Sequence, residues 1–181
     1  MAKQGENRKR QQAGFTVLEA LIAISIIVIG VGGVFGLTSR TVADSSANNN
    51  KLVAVYLAQE GIEIVRNIRD TNYLKIRQAV PGAAWDDGII LPGNDCATWC
   101  EADYNDAALS GVVAGLNPLQ RDGNTSIYSY DGGSATPFTR EIKATAVGVG
   151  KIEVEVTVFW SERGNVQKTV AATELYNWLI L

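Results

Sequence analysis

Hydrophobic positions along this chain follow three successive patterns. From Phe15 to Leu37 nearly every residue is apolar, on all sides of a helix. That pattern belongs to a membrane helix or to one buried all round, and the 23-residue run matches the roughly 20 residues that cross a bilayer. Thr38 opens a second pattern. Asp44, Ser45, Ser46 and Asn48 to Asn50 are polar; then Val53, Leu57, Ile64 and Ile68 recur at helical spacing, with Gly61 in the remaining heptad position. Val55, Ala58, Ile62 and Val65 widen this face, while Glu60, Glu63, Arg66, Asn67, Arg69 and Asp70 mostly occupy others. One helix over residues 15 to about 70 is expected, with an amphipathic second half packed on a core. Gly30, Gly32, Gly33 and Gly36 each weaken it by about 1 kcal/mol relative to alanine. In a bilayer its backbone must stay hydrogen-bonded, so the helix persists there; outside, this stretch can loosen, or its small residues can pack closely on a partner helix. Asn48 to Asn50 mark a place for a local break.

The third pattern has period two. In Lys151–Trp160, Ile152, Val154, Val156, Val158 and Trp160 alternate with Glu153, Glu155 and Thr157, which predicts a half-buried strand with those three polar residues outward. Phe138–Val147 precedes it across Gly148-Val149-Gly150, and Val166–Leu175 follows it across the turn Ser161–Asn165. A three-stranded antiparallel meander is expected, one face covered by the helix. Trp178, Leu179, Ile180 and Leu181 are expected to fold back onto the sheet. Between helix and meander, Pro81-Gly82, Asp87-Gly88, Pro92-Gly93, Asp122-Gly123 and Asp131-Gly132-Gly133 mark turns, with Ile89-Ile90-Leu91 and Ser126–Tyr130 as candidate short strands. The fold class is therefore α+β: a long N-terminal helix on a C-terminal antiparallel sheet. Its parts are a leader at 1–14, a membrane helix at 15–37, its amphipathic continuation at 38–70, a loop region at 71–137 and the meander at 138–181.

Charge changes the picture at one residue. Glu19 is the only ionisable side chain between Phe15 and Leu37. A lone carboxylate in hydrocarbon is costly and marks a functional site whose partner must be named. An ammonium from another chain would satisfy it, and the first turn of a helix favours an anion. An ordinary signal peptide fits poorly, since the run exceeds the roughly 7–15 apolar residues of such a segment, although the glycine-rich stretch could hold a cleavage site. A plain membrane anchor fits the length but leaves Glu19 unexplained, and a buried soluble helix is disfavoured by the length.

The string Gly14-Phe15-Thr16-Val17-Leu18-Glu19, with a short charged leader before it and a long apolar run after it, resembles the N-terminus of type IV prepilins and type II secretion pseudopilins. The likeness covers roughly residues 9 to 60, and the rest agrees only in broad pattern. The resemblance implies a pilin-like fold and cleavage between Gly14 and Phe15 by a prepilin peptidase. It also implies methylation of the Phe15 amine, and a Glu19 that meets a neighbouring subunit's N-terminal amine during assembly. The function it implies is that of a structural subunit of a type IV pilus-like filament, polymerised through its N-terminal helix on an assembly platform in the membrane. The alternatives are a type II secretion pseudopilin, or a minor pilin for DNA uptake or adhesion. The family's tip pseudopilin lacks the acid, so Glu19 argues against that member.

Composition narrows the rest. Lys3, Arg8, Lys9 and Arg10 against Glu6 give the leader +3, so a chain of net −3 leaves −6 on residues 15–181. The basic leader places the N-terminus in the cytoplasm and the remainder outside, with the filament or pseudopilus beyond the cytoplasmic membrane. An acidic ectodomain argues against nucleic acid as a partner. There is no histidine, the commonest general base and metal ligand, and no nucleophile elbow, P-loop or dinucleotide fingerprint, so no enzyme activity is expected. Cys96 and Cys100 make an even pair in an extracytoplasmic region and are candidates for a local disulfide. Zinc would need two further ligands and a redox motif a different spacing. No cofactor is expected. Calcium is the one candidate, at Asp122, Asn124 and Asp131 in oxygen-rich loops like those some major pseudopilins use, without EF-hand spacing; Asp86, Asp87, Asn94 and Asp95, and Glu101, Asp103, Asn105 and Asp106, form two further such loops. Trp99, Tyr104, Tyr128 and Tyr130 are expected to cover a small core.

Overall fold

Helix α1, Val17–Arg77, is continuous through Gly30–Gly36 and through Asn48–Asn50, so neither expected weak point interrupts it. The computed structural model describes residues 14–90, 96, 98–111 and 117–178, without the side chain of Ala43. The leader ahead of Gly14, Leu91, the turn Pro92-Gly93, Asn94-Asp95 and the terminal Leu179-Ile180-Leu181 lie outside the described residues.

The helix passes its expected end at 70 because its buried face continues. Asn72 and Tyr73 are buried one turn after Ile68. Asn72 Nδ2 donates to the Asp87 carbonyl at 2.6 Å, and the Tyr73 hydroxyl donates to the Tyr176 carbonyl at 2.9 Å. Lys75 and Arg77 then suit the negative end of the helix dipole. The stop is a Schellman turn: Ala79 N donates to Ile76 O, Val80 N donates to Lys75 O, and Ala79 takes the left-handed conformation at φ 54°.

The chain divides into two compact units, up to Ser46 and from Ala47 onward. In the first, the large apolar side chains from Val17 to Val42 are all exposed. The second carries a seven-stranded antiparallel sheet. Its centre is the expected meander: β5 (Ser134–Ala146), β6 (Lys151–Glu162) and β7 (Asn165–Tyr176). The β6–β7 hairpin closes through Arg163 and Gly164, both at positive φ, as a two-residue turn of this hand requires.

Four short strands extend the other side of β5. These are β1 (Cys100–Glu101), β2 (Ser110–Gly111), β3 (Pro118–Arg121) and β4 (Tyr128–Ser129). β1 and β3 both pair with β5, β2 pairs with β1, and β4 pairs with β3. β5 begins at Ser134, inside the region expected to be loop, because Gln120 and Arg121 of β3 pair with Ala135 and Ser134. Ser126–Tyr130 contributes β4, whereas Ile89 and Ile90 form no strand; Ile89 is instead a fully buried core residue in a turn.

Ala54, Leu57, Ala58, Ile62, Val65 and Ile68 of α1 share a core with Ile142, Ile152, Val154, Val156, Val158, Trp160 and Leu175. At Gly61 helix and sheet come closest: a Cβ there would lie 2.7 Å from Val156 Cγ1. Glu153 and Glu155 face outward as expected, but Thr157 is buried. Trp178 rests on the helix rather than on the sheet. Its ring meets Tyr73 edge-on at 5.0 Å, with the Arg69 guanidinium 5.8 Å from its centroid, and its amide donates to the Tyr73 hydroxyl. Tyr128 and Tyr130 pack against the core as expected, while Trp99 and Tyr104 stay exposed.

Candidate processing and assembly site at the start of helix α1

Gly14, Phe15 and Thr16 lead into α1 without regular structure. A Cβ at Gly14 would touch nothing within 4 Å, and Phe15 is 74% exposed, so the Gly14–Phe15 peptide bond stands open. Thr16 caps the helix. Its Oγ1 accepts from Glu19 N at 3.3 Å, and its carbonyl accepts from Ala20 N at 3.1 Å. The hydropathy pattern gives no hint of this role for Thr16. The signal is its spacing, Thr-x-x-Glu before an apolar run, which is that of a capping box.

Glu19 therefore sits in the first turn, where the exposed amides of the helix end carry positive potential. Its side chain is exposed, and among the described residues no cation pairs with it. From Ala20 to Leu37 the helix surface is apolar except at Ser25, and Ile27, Gly30, Val31, Val34, Phe35 and Thr38 form a shallow groove on it. The side chains of Ser25, Thr38 and Thr41 are satisfied internally, each donating to the carbonyl four residues back. The helix is long and apolar enough to cross a membrane. Between Val17 and Leu37 the charged group on this surface is the Glu19 carboxylate, so the segment can anchor in lipid or pack among like helices, and it offers an incoming cation one acceptor.

The other candidates lie in the second unit. Cys96 and Cys100 are joined by a disulfide, with both residues buried. The bridged loop is tied to β5 at both ends: Ala144 N donates to the Cys96 carbonyl at 3.0 Å, and Cys100 pairs with Ile142. The hydrogen bonds of the calcium candidates lie within their own turns. The Asp122 carboxylate accepts from the amides of Asn124 and Thr125 at 2.7 and 2.8 Å, closing its own turn, and those two bonds hold it below the usual carboxylate range. Asp131 contributes its carbonyl, to the Ser129 hydroxyl. Among the described residues, no group of three or more Asp, Glu, Cys or His side chains is placed to hold a metal ion.

A fully buried arginine was not expected from the sequence. Arg140 lies on the inner face of β5, fully buried, in register with Val158. Its Nη2 donates to the Ala102 carbonyl at 2.8 Å, Glu60 of α1 stands 3.5 Å from Nη1, and the Tyr130 ring lies 5.8 Å from the guanidinium carbon. Burial pushes the Tyr130 hydroxyl up to about 12 and raises the nearby Asp103 carboxyl, against the lowering effect of the Tyr130 amide that Asp103 accepts. Its position in the alternation of β5 was the available signal, masked by Thr139 and Glu141 on either side.

Residues 9–35 match the family model of the prokaryotic N-terminal methylation motif, the prepilin-type cleavage and methylation signal of type IV pilins and pseudopilins. The match takes in Gly14, Phe15 and Glu19 together with the apolar first half of α1. No curated protein and no solved structure matches the chain. The match is confined to this segment; the signal it resembles is the one prepilin peptidases cut, and the helix behind it is long and apolar enough to cross a membrane.

Proposed function

We propose that this chain is a structural subunit of a type IV pilus-like filament. It is made as a membrane-anchored prepilin with its N-terminus in the cytoplasm, cut between Gly14 and Phe15, and methylated on the Phe15 amine. Residues 15–37 then leave the bilayer and pack among the same segments of other subunits. The observation that carries this reading is Glu19, exposed and without a cation among the described residues, in the first turn of a helix whose surface is otherwise almost wholly apolar as far as Leu37.

The chemistry follows from that carboxylate. Cleavage converts the Phe15 amide into a terminal ammonium and makes Glu19 the fifth residue of the mature chain. An ammonium delivered by a neighbouring subunit neutralises Glu19 in a dry bundle, and losing one partner of such a pair costs on the order of 3–5 kcal/mol. The pair therefore fixes the axial register between helices that would otherwise slide on featureless apolar surface. The sheet unit, held together by its own core and by the Cys96–Cys100 bridge, supplies the outward-facing body of the subunit.

The test is a Glu19→Ala precursor expressed with the native assembly machinery. It is expected to be processed normally at Gly14–Phe15 but to be depleted from sheared fibres. Fibres formed at the normal level by Glu19→Ala would contradict the pairing role. A secretion pseudopilus shares this N-terminal chemistry, and recovery of the subunit on long fibres sheared from cells is the observation that separates the two.

A further inference from the structure

Among the described residues no strand covers the outer edge of β7, which pairs only with β6, in an unbroken register from Asn165 to Tyr176. It contains no proline or glycine and two charges, Lys168 and Glu174. Natural edges of this length are normally blunted by prolines, bulges or several lysines, because a bare row of amides and carbonyls templates another strand.

The direction of those free groups can be read from the register. Asn177 N donates to the Gly150 carbonyl, so the pair Gly150–Asn177 is of the hydrogen-bonded kind. Alternation along the ladder makes Leu175, Thr173, Ala171, Thr169 and Gln167 bond inward to β6. Val166, Lys168, Val170, Ala172, Glu174 and Tyr176 therefore turn their amides and carbonyls away from β6, to the open edge, where among the described residues the Tyr176 carbonyl alone is already taken, by the Tyr73 hydroxyl. Their side chains share the outer face of the sheet, opposite the core, with Lys151, Glu153 and Glu155.

From this geometry we propose that β7 pairs antiparallel with β7 of a second copy of this chain, about a two-fold axis at Ala171. In that register Lys168 of each copy faces Glu174 of the other, Val166 faces Tyr176, and Val170 faces Ala172. All are positions whose backbone groups point outward, and together they form about ten main-chain hydrogen bonds, two per such pair except at Val166–Tyr176, where the Tyr176 carbonyl stays with the Tyr73 hydroxyl. The register spans nearly the whole strand. Centring the contact on Lys168 or on Glu174 instead would set like charges directly opposite, which is destabilising. Glu174 is already drawn below its usual range by its hydrogen bond from Lys151, so it is present as an anion for the second lysine. The contact is closed, involving the same patch on both copies. It is therefore distinct from the repeating helix contact of a polar fibre and independent of the function proposed above.

The experiment uses the full, uncleaved chain in detergent micelles. With both native cysteines bridged, Val170→Cys/Ala172→Cys places a new thiol opposite its counterpart across the axis. Oxidation is expected to give a covalent dimer. Lys168→Glu added to this pair, or Glu174→Lys added to it, should each reduce the dimer about tenfold, since each sets two like-charge pairs across the contact. Mixing the two charge variants should restore it, because the carboxylates of one copy then face the ammonium groups of the other at both charged positions. Absence of the covalent dimer, a yield indifferent to Lys168→Glu, as association through the N-terminal helix alone would give, or failure of the mixture to recover would each overturn the proposal.

Discussion

At the scale of single residues, Gly61 and Asp122 carry effects that run against simple expectation. Gly61→Ala would improve helix propensity by about 1 kcal/mol. Yet its methyl would sit 2.7 Å from Val156 Cγ1 and 3.2 Å from Arg140 Cδ, and overpacking of this kind costs about 1–3 kcal/mol. Net destabilisation of up to about 2 kcal/mol is expected, read as a lowered melting temperature of the sheet unit; an unchanged or raised one would contradict the close approach. Asp122 sets an acid dependence. Its two amide bonds lower the folded-state value below the 3.8 of an unperturbed carboxyl. Its contribution to stability is therefore present above that value and is lost as pH falls through the lower, folded one. Asp122→Asn keeps an acceptor for the turn but not the charge. The wild type should exceed it in stability above about pH 4 and converge with it in stronger acid. A gap that persists at pH 2 in denaturant titrations would contradict this assignment.

At the scale of elements, the helix stop and the strands show what the sequence discloses. Ala79 occupies a left-handed position where glycine is the usual residue. Because a non-glycine residue there costs roughly 1–2 kcal/mol, Ala79→Gly should raise stability by about 1 kcal/mol; a loss on thermal denaturation would contradict the Schellman assignment. The β6 strand was legible because Ile152 to Val158 alternate with polar residues, and the start of α1 because residues 20–37 are apolar except at Ser25 and the glycines of Gly30–Gly36. The last turns of α1 were not, since Asn72 is buried to serve the carbonyls of Trp85 and Asp87 rather than by hydrophobicity. β1, β2 and β4 are two residues each, too short for any period, and exist because β5, β1 and β3 respectively offer them edges. Thr157 and Trp178 went astray for a related reason: the sequence shows alternation and apolarity but not which neighbour covers a face. At the candidate site, Gly14, Phe15 and Glu19 were legible from their order alone, while Thr16 required its spacing to be taken as a cap.

At the scale of the whole molecule, two units of different solvent preference share one chain. Residues 14–46 expose apolar side chains with nothing of their own to cover them, while residues 47–178 bury theirs between helix and sheet. Such a chain needs an outside apolar environment for its first unit, lipid at one stage and like helices at another in the function proposed here. In that function cleavage at Gly14 would link the two, because it would create the ammonium for a Glu19 that has no cation among the described residues. A bulky substitution at Gly14 is accordingly expected to leave the leader attached and the protein in the membrane fraction, and normal maturation of that variant would place the cleavage elsewhere. The most direct test is the N-terminal mass and sequence of the protein isolated from its native cells. A chain beginning at Phe15, with a methyl group on its amine, is the predicted result. A chain that retains the leader through Gly14, or one cut within or beyond the Gly30–Gly36 stretch, would contradict the account.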